Sequence, residues 1–343
     1  MKKALLLCLI LMAASFGFAQ QQLATLNHND SITVYYGASA LQQAHAAAVN
    51  GDIITLSPGI FDAVDITKAV TIRGAGAWSD TNGTSNTIIR NFLYFSGPQD
   101  PLHHLSIEGI YFLNDVLISS SGLYNPQFFK CYFNGNFYCR YQNDGLMQHA
   151  MFVNCFLTYW FASYNNGATG ANNTQFINSV IFRALRYDCP DTYINCILQQ
   201  EPNSNNMLSR TFQNCILYFY WNSSQCPDNN SHTAQNCIFI NNSQGSSCNN
   251  LFSGYEDHIL WNMSGWNSVF TGYYELIDSI AATCLGNDGT QVGIYGGLFP
   301  FDPRVTGLNI RRLDVARRTT ADGKLPVDIE IVSDEATSNE ENE

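Results

Sequence analysis

A short pattern of apolar, Asn and small residues recurs along the middle of the chain. In a typical copy an aromatic residue is followed two positions later by Asn and three positions later by Cys or Ser, with two apolar residues behind it. The small residues of the seven copies are Cys131, Cys155, Ser179, Cys196, Cys215, Cys237 and Ser268. Their separations of 24, 24, 17, 19, 22 and 31 positions are typical of successive turns of a β-solenoid whose loops vary in length.

The parity of these positions predicts a bend inside each copy. Strand side chains alternate between two faces, so the small residue shares a face with the apolar residue two positions later. The aromatic residue three positions earlier has the opposite parity, and it shares that face only if the chain bends between them. Asn lies at the bend and tolerates the left-handed backbone region. We therefore expect stacked corners with an inward column of small residues and a ladder of Asn side chains bonded to one another.

The cysteines of this column are interpreted as packing residues. A small, weakly polar side chain suits a crowded interior corner, and the chain has no Cys-x-x-Cys pair of the kind that binds zinc. Metal binding and catalysis are the alternatives. Cys226 and Cys248 each follow a column cysteine by 11 positions, which predicts that they lie on adjacent turns and makes them candidates for a disulfide.

The region before the repeats predicts a helix followed by short strands. Residues 39–49 are rich in alanine, with apolar residues at helical spacing, and Gly51-Asp52 ends the segment. Two motifs follow, Ile-x-Leu-x-Pro-Gly-x-Phe at 54–61 and Val-Thr-Ile-x-Gly-x-Gly at 70–76. Together with the Asn-Cys repeats, these motifs resemble pectate-lyase-like β-helix proteins over roughly residues 31–301. The resemblance implies an all-β, right-handed parallel β-helix (solenoid) with a short N-terminal capping helix.

The ends of the chain complete the predicted organisation. Lys2 and Lys3, an apolar stretch over 4–14 and small residues at 17–19 predict a secretory signal peptide. Segment 288–301 resembles the closing coil of bacterial secreted members of the family, and 323–332 reads as a capping strand with alternating apolar residues. The predicted division is signal peptide 1–19, N-terminal lead-in 20–38, β-helix with its cap 39–301, C-terminal cap segment 302–333 and disordered acidic tail 334–343.

Charge narrows the classes of partner. The full chain has a net charge of −12, and removal of the signal peptide leaves 14 basic against 28 acidic residues. Such a surface argues against nucleic acid, which requires basic patches, and against anionic membranes. No membrane insertion, metal or cofactor is expected. The predicted location is secreted or cell-surface, and the predicted partner is a polysaccharide or a cell-surface glycan.

The residues that would support catalysis are sparse. The resemblance implies polysaccharide lyases, pectin esterases or glycoside hydrolases, and the hydrolases usually place two or three Asp close together. Asp191 and Asp228 follow Cys-Pro turns, where Asp usually supports turn geometry. Arg183, Arg186 and Asp188 could form a base-and-carboxylate cluster, but a surface ion pair at a loop is the preferred interpretation. No catalytic residue is assigned, and a non-catalytic protein is favoured over an enzyme.

Aromatic residues give the positive signal for function. Counting three and five positions beyond the small-residue column reaches Tyr218, Trp160, Glu201 and Tyr220. If strand alternation continues, these side chains point to solvent, and flat rings with a carboxylate between them suit sugar rings. We therefore predict a carbohydrate-binding strip, against the alternative that a loop covers it. A polysaccharide-degrading enzyme and a purely structural or adhesive surface protein are the competing hypotheses.

Overall fold

The chain forms a parallel β-solenoid of short strands. The computed structural model describes residues 22–78, 86–96, 102–118, 122–139, 147–161, 171–185, 191–198, 210–218, 232–240, 274, 276, 278–302, 308–315 and 327–333. Most turns contribute one strand to each of two long sheets, two turns contribute two strands to the second sheet, and some contribute a strand to a third. The repeat pattern in the sequence is therefore confirmed as a stack of rungs.

The first sheet begins with an antiparallel pair and continues in parallel pairing. Its strands are, in spatial order, β2 (Ser31–Tyr36), β1 (Leu23–His28), β3 (Ile53–Leu56), β5 (Thr71–Arg73), β8 (Ser106–Glu108), β12 (Gln127–Phe129), β15 (Met151–Val153), β18 (Gln175–Ile177), β20 (Thr192–Ile194), β22 (Arg210–Gln213) and β24 (His232–Gln235). β1 pairs antiparallel with both β2 and β3, and from β3 onward each strand pairs in parallel with the next.

The second sheet lies at the other side of the corner in every rung. Its strands are β4 (Gly59–Asp62), β6 (Thr87–Arg90), β7 (Leu93–Phe95), β9 (Tyr111–Phe112), β10 (Val116–Ile118), β13 (Tyr132–Tyr138), β16 (Phe156–Phe161), β19 (Val180–Leu185), β21 (Ile197–Leu198), β23 (Ile216–Tyr218) and β25 (Ile238–Ile240). β10 lies between β7 and β13. The third sheet consists of β11 (Leu123–Tyr124), β14 (Met147–Gln148) and β17 (Ala171–Asn172).

The predicted bend lies at the predicted position in each described copy. The Asn position has a left-handed backbone, with φ between 46° and 55° at Lys130, Asn154, Asn178, Asn195, Asn214 and Asn236. The aromatic residue before each bend is buried, and successive rings from Phe128 to Phe212 stack with centroids 4.7–5.1 Å apart. The bend thus allows the aromatic residue and the small residue to share one interior.

The inward column of cysteines is also confirmed. Cys131, Cys155, Cys196, Cys215 and Cys237 are fully buried and do not form disulfides. Their thiols donate to backbone carbonyls, for example that of Cys155 to Phe128 O at 3.3 Å. Burial raises the pKa of the Cys155, Cys215 and Cys237 thiols well above their usual range. Thiolate formation is therefore suppressed, and these cysteines pack as small apolar groups. Ser268, Cys226 and Cys248 lie outside the described residues.

The predicted N-terminal helix is present as α1 (Ala40–Ala47). Ala40, Leu41 and Ala44 on one side of this helix are buried in the same apolar cluster as the first rungs. The helix contacts β1, β2, β3 and β4. Its role as a cap remains a prediction.

A segment after the repeats lies along the outside of the Asn corner. This strap, residues 284–301, follows the short helix α2 (Asp278–Thr283). The Asn178 side chain donates to Ile294 O at 2.8 Å and Gly296 O at 2.6 Å. The Asn214 side chain donates to Asn287 Oδ1 at 3.0 Å. The expected ladder of Asn side chains bonded to one another is therefore wrong, because the amides of Asn178 and Asn214 bind the strap instead.

Apolar packing holds the strap in the same place. Val292 and Ile294 join a buried cluster with Val180, Ile197 and Ile216, the residues that follow the column of small residues and point outward. Gly293 has φ of 85°, and a Cβ there would come within 2.7 Å of Ile216 Cδ1, so glycine lets the strap adopt this conformation without strain. The strap contacts the corners of several rungs, and its role as a closing coil remains a prediction.

The end of the chain forms a separate compact unit, which begins at Arg304. It contains the antiparallel strands β26 (Leu308–Val315) and β27 (Val327–Ser333). β27 confirms the strand predicted over 323–332 from residue 327 onward, residues 323–326 lie outside the described residues, and the capping role stays a prediction. No helix among the described residues is long and apolar enough to cross a membrane.

Candidate functional site

Trp160, the first residue of the predicted sugar-binding strip, lies in the core. Its side chain is 1% exposed, and its ring packs at 5.2–5.6 Å from Phe137, Phe152 and Phe176. Its indole Nε1 donates to Asp191 Oδ2 at 3.2 Å. The solvent-facing position expected for Trp160 is therefore wrong.

A second irregularity explains the burial of Trp160. Leu157 and Trp160 are three positions apart, yet both point inward, which strict alternation forbids. The neighbouring strand β13 has a register shift between Phe133 and Asn136, opposite this part of β16. Between these two paired positions β13 advances four residues, from Phe133 to Phe137, whereas β16 advances only three. The odd count in β16 places both Leu157 and Trp160 on the inner face. Alternation is therefore broken beyond the first bend, and the position predicted from unbroken alternation does not hold for Trp160.

The other residues of the predicted strip are not tested by the structure. Tyr218 pairs in register with Ile240 at the end of β23, and its side chain is not among those described. Glu201 and Tyr220 lie outside the described residues, as do Arg186, Asp188 and Asp228. The backbone of Arg183 belongs to β19, and its side chain is likewise not described.

Exposed aromatic residues occupy a different part of the second sheet. Phe92 is 58% exposed and Tyr94 is 42% exposed. Register pairing places Leu117 beside Tyr94 and Tyr138 beside Leu117. The intervening residues point inward, so these side chains form an outer column with one residue per rung, about 4.8 Å apart.

Polar groups lie beside this column on the same strands. The Asp115 carboxylate is partly buried, and its Oδ1 accepts hydrogen bonds from Asn136 N at 2.8 Å and Asn136 Nδ2 at 2.9 Å. In the neighbouring row, Asn114 Oδ1 accepts a bond from Asn91 N at 2.9 Å. We define the aromatic face by Phe92, Tyr94, Asp115, Leu117, Asn136 and Tyr138.

The bulge in β13 fixes the polar part of the aromatic face. A Cβ at Gly135 would come within 2.5 Å of the Asn114 carbonyl carbon and 2.7 Å of Asp115 Oδ1. The absence of a side chain at Gly135 lets this backbone lie against the preceding rung. Asn136 can then donate both of its hydrogen bonds to one carboxylate oxygen. The arrangement is a preorganised acceptor beside exposed rings.

The charge at the edge of the aromatic face is balanced by an ion pair. Arg90, two residues before Phe92, has its Nε 2.6 Å from Asp62 Oδ1. The hydrogen bond and charge of Asp62 raise the pKa of the Arg90 guanidinium further. This guanidinium is therefore engaged within the protein, while Asp115 contributes a negative charge to the face itself.

Asp191 is buried in the interior rather than placed in a turn. It is fully buried, and its Oδ2 also accepts a hydrogen bond from Tyr193 OH at 3.2 Å. Burial raises the pKa of Asp191 to about 6, an effect that the Arg210 charge partly offsets. The interpretation of Asp191 as a turn-supporting residue is wrong. Its place among core aromatic rings makes it a structural group.

Within the described part of the chain, no group of three or more His, Cys, Asp or Glu side chains is arranged to hold a metal ion. The aromatic face contains rings, amides and one fixed carboxylate. This set can stack against a ligand and exchange hydrogen bonds with it.

Sequence reasoning missed the aromatic face because its first rungs precede the Asn-Cys repeats. The signal that could have revealed it is the alternation in Phe92-Leu93-Tyr94-Phe95, where Leu93 and Phe95 are buried and their neighbours exposed. The bulge that positions Asn136 had no comparable signal.

Comparison with protein families, curated proteins and solved structures finds no match for this chain. The parallel solenoid therefore rests on the strand pairing itself. Function must be argued from the chemistry of the site, because the same fold supports many activities.

Proposed function

We propose that this protein is a secreted, right-handed parallel β-helix of the pectate-lyase-like class that binds glycans without transforming them. The observation that supports binding is the aromatic face, where exposed rings lie beside a carboxylate fixed by Asn136. Secretion is supported by the signal-peptide pattern over 1–19. The handedness is supported by the strong preference for right-handed connections between parallel strands of one sheet.

The chemistry of the aromatic face suits sugars better than apolar ligands. The C–H surface of a sugar ring stacks on an aromatic ring, and its hydroxyl groups require hydrogen-bond partners. Phe92 and Tyr94 supply exposed rings, and Asp115 and Asn136 supply polar groups on adjacent rungs. The rungs present these groups at a regular spacing of about 4.8 Å. A ligand with repeating units can therefore contact several rungs at once.

A glycan array combined with a product assay tests the proposal. The mature protein should bind a subset of polysaccharides and release neither reducing ends nor unsaturated products from them. Phe92→Ala and Tyr94→Ala should each weaken binding about tenfold, equivalent to about 1.4 kcal/mol. Tyr36→Ala is the matched control, because Tyr36 is 56% exposed on β2, in a different sheet.

Three results would contradict parts of this proposal. Turnover of any polysaccharide would show an enzyme. Binding that survives both substitutions in the aromatic face would place the glycan site elsewhere, and variants of Tyr218 and Tyr220 would then test the strip predicted from sequence. Equal losses in Tyr36→Ala and Tyr94→Ala would indicate a general effect of removing exposed rings.

A further inference from the structure

The charges around the aromatic face are unfavourable for an anionic ligand. Asp115 lies within the face, and Arg90, two residues before Phe92, is in an ion pair with Asp62. Arg90 Nε already pairs with Asp62 Oδ1 at 2.6 Å, so the Arg90 charge is largely neutralised and attracts a ligand carboxylate or sulfate less strongly. Ionic screening extends over about 8 Å at physiological salt, so an anion on neighbouring rungs would still be repelled by Asp115.

The same carboxylate is well placed to accept hydrogen bonds from hydroxyl groups. Asp115 is partly exposed, and its orientation is fixed by the two bonds from Asn136 to a single oxygen. Hydrogen bonds to an ionised acceptor are stronger than those between neutral groups. A neutral sugar stacked on Phe92 or Tyr94 would bring hydroxyl groups toward this acceptor without introducing a second negative charge.

We infer that the aromatic face selects neutral glycans over uronate-containing or sulfated ones, and that Asp115 determines this specificity. This inference rests on the proposed function, because it names the class of glycan that the same face binds. The ring residues contribute affinity for any sugar, and the carboxylate supplies the discrimination between neutral and anionic chains.

The test compares one polysaccharide backbone in two charge states. Affinity electrophoresis is run with fully methyl-esterified polygalacturonate, with the same polymer after de-esterification, and with a neutral soluble β-glucan. The wild-type protein should be retarded at least tenfold more strongly by the neutral polymers than by the de-esterified one. Added salt should strengthen any residual binding to the anionic polymer, because it screens repulsion, and should leave binding to the neutral polymers unchanged.

Substitutions assign the effect to one residue. Asp115→Asn retains the size of the side chain and an oxygen that can accept from Asn136, but removes the charge. It should weaken neutral-glycan binding about threefold to tenfold and narrow the preference for neutral over anionic polymer by at least tenfold. Asp30→Asn is the matched control. Asp30 is exposed at the β1–β2 turn with φ of 62°, a conformation that Asn also tolerates.

Each outcome separates this inference from the proposed function. Stronger binding of the wild-type protein to de-esterified polymer would overturn the selection of neutral glycans and leave glycan binding intact. An unchanged preference in Asp115→Asn would overturn the role of Asp115. Failure to bind any polysaccharide in either charge state would overturn the proposed function, and this inference with it.

Discussion

Replacing Asn178 tests whether the strap stabilises the solenoid. Asn178 is 1% exposed and has φ of 46°. In Asn178→Ala, the left-handed backbone would cost about 1–2 kcal/mol. The two hydrogen bonds to Ile294 O and Gly296 O would also be lost, at about 0.5–1.5 kcal/mol each. The expected decrease in the free energy of unfolding is therefore about 2–5 kcal/mol.

Urea unfolding of matched variants separates the two contributions. Asn173→Ala is the control for the backbone, because Asn173 has φ of 54° at an exposed corner, and it should cost only about 1–2 kcal/mol. Asn178→Gly keeps the backbone conformation accessible and loses the hydrogen bonds, so it should be less destabilising than Asn178→Ala. Limited proteolysis should cut the strap, residues 284–301, faster in both Asn178 variants than in Asn173→Ala. If Asn178→Ala costs no more than Asn173→Ala, the hydrogen bonds to the strap do not stabilise the fold.

Three further predictions concern buried or crowded groups. The folded-state pKa of Asp191, about 6 against an ordinary 3.8, means that the native state binds this proton more tightly. The free energy of unfolding should therefore fall by about 3 kcal/mol as pH rises from about 4 to 6, and Asp191→Asn should not show this decrease. Urea unfolding at several pH values measures it. The same pH dependence of stability in the wild-type protein and in Asp191→Asn would refute the prediction. Cys155 and Cys215 should resist alkylation at pH 8 in the native protein and react after unfolding, as measured by mass spectrometry. Alkylation of either cysteine in the native protein would show that its thiolate is accessible. Gly135→Ala should destabilise the protein by about 1–3 kcal/mol and weaken glycan binding, because the new Cβ would meet the Asn114 backbone. A variant with the stability and glycan affinity of the wild-type protein would exclude this crowding.

The corner of the solenoid could be predicted from sequence because the relevant information is local and repeated. The parity of Phe128, Cys131 and Phe133 requires one bend, and Asn154 in the next copy identifies its position. Phe128, Cys131 and Phe133 are all buried, although Phe128 has the opposite parity to the other two, and only a bend allows this. Each copy of the pattern adds independent support, since the same residue types must satisfy the same geometry on every rung.

The partners of the Asn side chains could not be predicted in this way. Asn178 binds carbonyl groups 116 and 118 positions later in the chain, and the strap that contains them is not a copy of the repeat. A ladder of amides would have satisfied the same polar groups, so local chemistry alone did not discriminate between the two arrangements. Binding to the strap is favoured over an amide ladder because the strap also covers the outward apolar residues Val180, Ile197 and Ile216. A ladder would leave these residues exposed to water.

Adjacent irregularities in β16 and β13 account for the burial of Trp160 and for the polar centre of the aromatic face. Phe137 and Trp160 pair in register and are both buried beyond the bulge in β13. The extra residue of β13, which has no counterpart in β16, presents Asn136 to Asp115 on the preceding rung. The three-residue spacing in β16 therefore removes Trp160 from the surface, and the extra residue in β13 builds the polar centre of the aromatic face. Because Trp160 also donates to buried Asp191, returning its ring to solvent would leave a core carboxylate with one fewer donor, which opposes the arrangement expected from simple alternation.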